Sequence, residues 1–191
     1  TLTTYDFARQ LDAHKVLIVT NRPAIANSWF DDFEKFIAWQ ADFAFVSTSD
    51  SLKDRPVMTR DDFLAQRLNG KKRMLAFISL QDLKGAISFG GSFNKLKWVK
   101  DLEWDLLVID ESHEGVETDK TDIAFENINR NFTLHLSGTP FKALARGKFS
   151  QDEIYNWTYA DEQQAKANWN NLEENNPYEQ LPRLNLFSYQ M

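Results

Sequence analysis

The chain contains no cysteine among its 191 residues. This absence excludes disulfide bonds and metal sites built on thiolates, and it fits a reducing compartment, so we expect a cytoplasmic protein. No apolar run approaches the roughly 18 residues that a membrane-spanning helix needs, and we expect no membrane association. The stretch Thr1–Gln10 also lacks a basic segment followed by an apolar one, which is the pattern of a secretory signal.

Positive charge is also scarce, with 22 Lys and Arg against 28 Asp and Glu and a formal net charge of −6. Nucleic-acid binding depends on clustered basic side chains that displace counterions, so the bulk charge counts against a stand-alone nucleic-acid binder. One basic segment stands out, formed by Lys84, Lys95, Lys97 and Lys100. The sequence leaves open whether it is a nucleic-acid groove or a solvated basic face.

Short apolar runs alternate with helical patterns along most of the chain. This alternation predicts an α/β fold with a mostly parallel sheet flanked by helices. The predicted strands are 16–19, 43–46, 74–78, 106–109 and 132–136, and the predicted helices are 3–11, 23–39, 59–68 and 122–128. After about residue 148 the chain becomes polar and helix-prone, with 184–187 as a candidate last strand. We therefore expect one domain over 1–148 and a helical connector over 149–191.

The most informative element is the apolar run Leu106–Ile109, which is followed at once by Asp110-Glu111-Ser112-His113. Four apolar residues in a row indicate a strand that is buried on both faces. Ligands of such folds bind outside the carboxyl ends of the strands, where this acidic pair would emerge. An aspartate there can hold Mg²⁺, and the adjacent glutamate can polarise an attacking water. The alternative is an acidic helix cap.

Polar groups follow three other predicted strands as well. They are Thr20-Asn21-Arg22, Ser79-Leu80-Gln81 and Ser137-Gly138-Thr139. Because parallel strands end at the same edge of a sheet, we expect these groups and the acidic pair to share one edge. For Ser137 and Thr139, a turn held by bonds from hydroxyl to backbone is an open alternative, and Arg22 could simply pair with an acidic neighbour.

The histidines give little support to a metal hydrolase. His14 precedes a predicted strand and His135 lies within one, so both are interpreted as structural. His113 stands near Glu111 and Glu114, but the H-E-x-x-H spacing that places zinc ligands on one helix face is absent.

With these motifs in this order, the chain resembles the first motor domain of superfamily-two helicases and translocases, the DEAD/DEAH-box type. It is most similar to the helicase-like region of type I and type III restriction enzyme R subunits. The resemblance covers roughly 1–141. Asp110–His113 corresponds to motif II (the Walker B box), Ser137–Thr139 to motif III and Thr20–Arg22 to motif Ia. It implies a RecA-like P-loop NTPase fold for 1–148, with 149–191 leading toward a second motor domain.

The resemblance implies a role for each candidate residue. Asp110 would hold Mg²⁺ on the phosphates of ATP, Glu111 would activate the attacking water, and His113 would relay the nucleotide state. Ser137 and Thr139 would couple hydrolysis to movement between the two motor domains. Five residues would contact the nucleic-acid backbone: Thr20, Asn21, Arg22, Ser79 and Gln81. The implied partners are double-stranded DNA, a second motor domain, a nuclease, and modification and specificity subunits.

One departure from the family pattern is large, because no G-x-x-x-x-G-K-[ST] phosphate loop occurs anywhere in the chain. Thr1-Leu2-Thr3-Thr4 resembles the continuation of that loop, with Thr1 as its terminal nucleotide-binding Thr. We therefore expect a fragment, incomplete at its N-terminus, that alone neither hydrolyses ATP nor binds it tightly. In the resembled fold the lost strand lies inside the sheet, so we also expect an unpaired edge compensated by self-association, a swapped strand or rearrangement of 184–187.

Two other functions remain open. The chain could be a non-catalytic remnant or adaptor that keeps the fold for protein or nucleic-acid contacts. It could equally belong to a helicase acting on RNA or in repair, since such proteins share all the motor residues. The sequence does not distinguish type I from type III systems, and it does not reveal whether a nuclease is attached.

Overall fold

The computed structural model describes residues 1–39, 42–66, 73–92, 95–110, 119–139, 147, 149–171 and 173–185. The chain divides into two compact units, Thr1–Ala143 and Leu144–Met191. Across the described ranges, no helix combines the length and apolar character that crossing a membrane requires.

Strands and helices alternate through the described part of the first unit. The strands are β1 (Lys15–Thr20), β2 (Phe43–Ser47), β3 (Arg73–Ser79), β4 (Trp104–Asp110) and β5 (Arg130–His135). The helices are α1 (Leu2–Gln10), α2 (Ala26–Phe36), α3 (Arg60–Gln66), α4 (Leu80–Gly85), α5 (Lys97–Asp101) and α6 (Asp119–Glu126). All five predicted strands are present. The predicted helix 23–39 is shorter than expected, because Pro23–Ile25 forms a 3-10 turn and α2 ends at Phe36.

The five strands form one sheet in the order β2-β3-β1-β4-β5, and every neighbouring pair is parallel. The predicted α/β fold with a parallel sheet is therefore confirmed. The sheet is continuous, with hydrogen bonds between all neighbouring strands, and its outer strands are β2 and β5. The described strands leave no break inside this sheet, and compensation of an unpaired edge by self-association or a swapped strand stays a prediction.

Alternate residues of each central strand enter two separate hydrophobic clusters, because successive side chains of a strand point to opposite faces. In β4, Leu107 and Ile109 pack with α3, α4, α5 and α6, whereas Leu106 and Val108 pack with α1 and α2. All four of these side chains are buried. The run 106–109 is apolar throughout because helices cover both faces of the sheet.

Aromatic side chains fill the α2 side of the sheet. Phe30 and Phe33 of α2 lie against Phe45 of β2, with ring centroids 5.3 and 5.4 Å apart, and Phe45 stacks on Phe77 of β3. These aromatics are core residues. Trp39, beyond the end of the helix, is 74% exposed.

The two edges of the sheet differ. Residues of β2 are buried along its whole length, and Met58 forms a parallel bridge with Val46 on its outer side. By contrast, Asn131, Phe132 and Thr133 of β5 are exposed. Phe132 has 54% of its surface accessible, so β5 is the open edge.

The second unit contains a 3-10 turn, Gln151–Glu153, and a helix, α7 (Tyr159–Ala167). The Thr158 side chain caps α7 in a capping box with Asp161. Trp157 stacks on Tyr178, and Trp169 meets the same ring edge-on. Leu184 and Asn185 are not in a strand, contrary to the candidate strand 184–187, and the other half of that stretch lies outside the described residues.

Candidate functional site

Three of the predicted groups share one edge of the sheet at one level. In the parallel register, Thr20 at the end of β1 pairs with Ser79 at the end of β3 on one side and with Asp110 at the end of β4 on the other. The carboxyl ends of these strands therefore meet, as the sequence predicted. This is the edge at which ligands bind in open α/β sheets.

Asp110 is the last residue of β4 and is half-buried. Its Oδ2 accepts a hydrogen bond of 2.9 Å from the indole Nε1 of Trp29. Trp29 belongs to α2 and is 2% exposed, so the bond reaches the edge of the sheet from the covering helix. Glu111, Ser112 and His113 lie outside the described residues.

Trp29 is itself held by α1. The Tyr5 hydroxyl donates to the Trp29 carbonyl oxygen at 2.6 Å, and the two rings meet edge to face with centroids 5.5 Å apart. Burial, assisted by the nearby charge of Asp32, raises the pKa of Tyr5, so its phenol keeps its proton and stays a donor. Nothing in the sequence marks Trp29 and Tyr5 as site residues, because helical spacing identifies such aromatics only as core.

The motif Thr20-Asn21-Arg22, expected to contact the nucleic-acid backbone, begins with a buried side chain. Thr20 is fully buried, and its Oγ1 accepts from the Arg22 backbone N–H at 3.1 Å. This bond shapes the turn that leaves β1. Asn21 is half-buried and Arg22 is exposed, so the Arg22 side chain is the member of the motif that faces solvent.

The motif Ser79-Leu80-Gln81 also combines a buried residue that shapes the backbone with an exposed one. Ser79 caps α4, since its hydroxyl accepts from the Asp82 backbone N–H and donates to the Asp82 carboxylate at 2.7 Å. Burial opposes ionisation of Asp82, but hydrogen bonds from Lys95 and Ser79 and the Lys95 charge outweigh it and lower the pKa of Asp82. Gln81 is exposed at the same edge.

Ser137-Gly138-Thr139 follows β5 beside the Asp110 strand. The Leu136 backbone N–H donates to the Ile109 carbonyl at 2.9 Å, which carries the pairing up to Ser137. The Thr139 backbone N–H then donates to Ser137 Oγ at 3.2 Å. A turn stabilised by a hydroxyl was the open alternative for these residues, and such a turn is present here. Ser137 is half-buried and Thr139 is exposed.

Thr1 is exposed and precedes α1 without a side-chain cap bond, while its carbonyl accepts from the Tyr5 backbone N–H at 3.1 Å. The start of α1 is therefore connected to Asp110 through Tyr5 and Trp29. A nucleotide contact by Thr1 stays a prediction.

Whether these residues suit Mg²⁺ can be judged from the donor set. The described ranges contain no cluster of three or more His, Cys, Asp or Glu side chains that could hold a metal ion. Mg²⁺ beside a nucleotide uses only one or two carboxylates, together with phosphate oxygens and water. Asp110, at a ligand-binding edge and half-exposed, fits that mode.

Two of the four lysines of the basic segment pair with carboxylates. Lys95 pairs with Asp82, and Lys97 pairs with Asp101 one helical turn away at 2.6 Å. Lys84 also has an interaction partner. Charges that are compensated in this way contribute little to counterion release, so a solvated face is the better interpretation of Lys95 and Lys97.

Sequence comparisons relate the chain to known restriction enzymes. The sequence model of the family described as "Type III restriction enzyme, res subunit" matches residues 1–142. The chain is also 25% identical, over 230 aligned positions and 99% of its length, to a protein of Mycoplasma pneumoniae named as the C-terminus of a "putative type II restriction enzyme and methyltransferase". The chain spans 30% of the length of that relative.

Proposed function

The chain belongs to the family of type III restriction enzyme res subunits, and from that premise we propose that it forms part of an ATP-dependent DNA translocase motor of a restriction enzyme. Its fold is the RecA-like α/β fold of that family, and the chain is a helicase-like region of a restriction enzyme. What we propose beyond the family and the fold is that the motor translocates on DNA, hydrolyses ATP and works with partner domains and subunits.

One observation supports the proposal most. Asp110 ends β4 at the same level as Thr20 and Ser79, so a carboxylate and two hydroxyl-bearing strand ends meet at the ligand-binding edge. A sheet that only carried an adaptor surface would have no need of an anchored carboxylate at this place. The indole N–H of Trp29 donates a hydrogen bond to that carboxylate.

The proposed chemistry divides among the residues of the chain. When bound, Mg²⁺ neutralises charge on the phosphates of ATP, and Asp110 would hold it. Glu111, the next residue, would orient the attacking water and accept its proton. His113, Ser137 and Thr139 would transmit the nucleotide state to the second motor domain. Phosphoryl transfer depends on such positioning and charge stabilisation more than on covalent chemistry.

Contact with DNA is proposed for the same edge. Arg22 and Gln81 are exposed and can reach phosphate oxygens, whereas Thr20 and Ser79 are buried and shape the turns that present them. Asn21 lies between, half-buried. Contacts to phosphates position a strand without reading its sequence, so the site would track DNA without specificity.

ATP hydrolysis needs a phosphate-binding loop, which the sequence of this chain does not contain. We therefore propose that the 191-residue chain alone is inactive and that activity appears in a longer polypeptide carrying such a loop. The test is ATPase activity with and without DNA on that longer polypeptide, compared with its Glu111→Gln variant. We expect hydrolysis stimulated by DNA that the variant loses while still binding ATP.

Three results would each contradict a part of the proposal. Hydrolysis stimulated by DNA in the 191-residue chain alone would show that no outside loop is needed. A longer polypeptide that binds DNA but never hydrolyses ATP would favour the non-catalytic adaptor instead. ATP hydrolysis that is stimulated by RNA but not by DNA would indicate an RNA helicase instead.

A further inference from the structure

A buried indole donates its N–H to the carboxylate at the ligand-binding edge. Trp29 is 2% exposed and lies in the hydrophobic cluster between α1, α2 and the sheet, yet its Nε1 bonds to Asp110 Oδ2 at 2.9 Å. The two residues are 81 positions apart in the chain. Packing alone would not require that a core tryptophan direct its donor to a half-exposed carboxylate.

The position of this indole is fixed at two further points. Tyr5 donates its hydroxyl to the Trp29 carbonyl at 2.6 Å, which ties the backbone of α2 to α1. The Tyr5 ring packs edge-on against the indole at an interplanar angle of 85°. With backbone and ring both held, the N–H is a preorganised donor that does not have to be ordered when a ligand arrives.

We propose that Trp29 is a positioning residue that orients the Asp110 carboxylate for a divalent cation, with Tyr5 as the support that holds the indole in place. The inference rests on the proposed function of Asp110 as the Mg²⁺ ligand and names the residues that make it competent. A hydrogen bond to Oδ2 fixes the carboxylate rotation, because turning the group would break the bond. Groups that orient metal ligands in this way typically change metal affinity or activity by about 10- to 100-fold when they are removed.

The chain offers a matched control. Trp104 is also fully buried, and its Nε1 donates a hydrogen bond of 2.8 Å, but the acceptor is the Val99 backbone carbonyl and not a carboxylate. Trp29→Phe and Trp104→Phe therefore remove the same ring area and one N–H donor each from a packed core. They differ in whether the lost bond ends on Asp110.

The first measurement needs no ATPase activity. Mn²⁺, used in place of Mg²⁺, is titrated into the 191-residue chain, and the free ion is followed by electron paramagnetic resonance while indole N–H signals are followed by NMR. We expect the Trp29 signal to broaden before that of Trp104. We expect Trp29→Phe to weaken Mn²⁺ binding by about tenfold or more, and Trp104→Phe to leave it unchanged.

The second measurement uses the longer polypeptide that carries a phosphate loop. We expect Trp29→Phe to raise the Mg²⁺ concentration for half-maximal ATPase by about 10- to 100-fold, with kcat at saturating Mg²⁺ much less affected. Trp104→Phe should leave the Mg²⁺ requirement as it is. Should Trp29→Phe fail to fold, Tyr5→Phe keeps the ring and removes only the support of the indole, and it should shift the Mg²⁺ requirement in the same direction by less.

The outcomes separate the two proposals. If Trp29→Phe and Trp104→Phe had the same Mg²⁺ requirement and the same Mn²⁺ affinity, the positioning role would be wrong while the motor function would stand. A wild-type longer polypeptide without ATPase would overturn the motor function, and Mn²⁺ binding would then decide the positioning role alone. Absence of any Mn²⁺ effect on the Trp29 signal of the wild type, both in the 191-residue chain and in the longer polypeptide with ADP bound, would overturn the inference.

Discussion

Replacing Asp105 by alanine should destabilise the sheet where its ladder begins. Asp105 is half-buried in β4, and its Oδ2 accepts from two backbone N–H groups, those of His14 at 2.8 Å and Lys15 at 2.9 Å. Regular pairing of β1 with β4 starts only at Val16 and Leu106. The side chain thus extends the ladder beyond the point where backbone bonds begin.

The expected cost follows from these two bonds. A hydrogen bond to a charged group contributes about 1.5–3 kcal/mol. Both N–H groups share one oxygen, and water can partly replace the acceptor at a half-buried position, so we expect about 2–3 kcal/mol in total and not twice the single value. With a urea m-value of about 2 kcal/mol/M, the unfolding midpoint should fall by roughly 1–1.5 M.

The assay is urea unfolding followed by tryptophan fluorescence, with Asp101→Ala as the control. Asp101 forms an exposed pair with Lys97 one turn away, and such pairs contribute about 0.3–0.5 kcal/mol. Asp105→Asn should lie between wild type and Asp105→Ala, because a neutral amide oxygen still accepts a bond. If Asp105→Ala and Asp101→Ala cost the same, the idea that a side chain anchors the start of the ladder is wrong.

Four other predictions concern pH, the core and the open edge. Burial raises the pKa of Tyr5 above the ordinary tyrosine value of 10.0. The stabilising effect of the neutral phenol is therefore complete below pH 10.0 and is lost as the pH rises above it. Tyr5→Phe should flatten the loss of thermal stability at alkaline pH, measured by circular dichroism. The pKa of Asp82 is lowered, so its contribution is present above pH 3.8 and is lost as pH falls below it, and Asp82→Asn should reduce that acid loss. Leu107→Ala, at a side chain with no exposed surface, should cost about 2–5 kcal/mol in urea unfolding, and a cost under 1 kcal/mol would contradict the packing described. Phe132→Lys on the exposed part of β5 should change the free energy of unfolding by no more than about 0.5 kcal/mol. It should also reduce any concentration-dependent association in analytical ultracentrifugation, because a charge on an exposed edge disfavours strand pairing between molecules. Unchanged association would show that the molecules associate through another surface.

The candidate site was predicted in part. The register confirms that Thr20, Ser79 and Asp110 meet at one edge, because parallel strands of similar length end together. Sequence could not indicate that Thr20 and Ser79 would be buried and use their hydroxyls in local turns, whereas Arg22 and Gln81 would face solvent. Exposure depends on how the following turn leaves the sheet, and a motif alone does not specify that.

Some elements were missed for local reasons. The helix α4 begins directly at the end of β3, without an intervening loop, and its start depends on the Ser79 cap. A six-residue helix is too short to give a periodic apolar pattern, so no signal pointed to it. The candidate strand at 184–187 had an apolar pattern but is not a strand at Leu184 and Asn185, since a short run has no preference strong enough without a partner strand.

The sequence by itself determined that the chain is an α/β protein with an acidic pair following a buried strand, because runs such as 106–109 are apolar at every position only when both faces are covered. The tertiary structure alone decided the strand order β2-β3-β1-β4-β5 and the partners of the strand ends. Strands that are apolar on both faces carry no signal of their neighbours. The bonds of Trp29 with Asp110 and of His14 and Lys15 with Asp105 span 81 to 91 positions, and only the folded sheet brings those residues together.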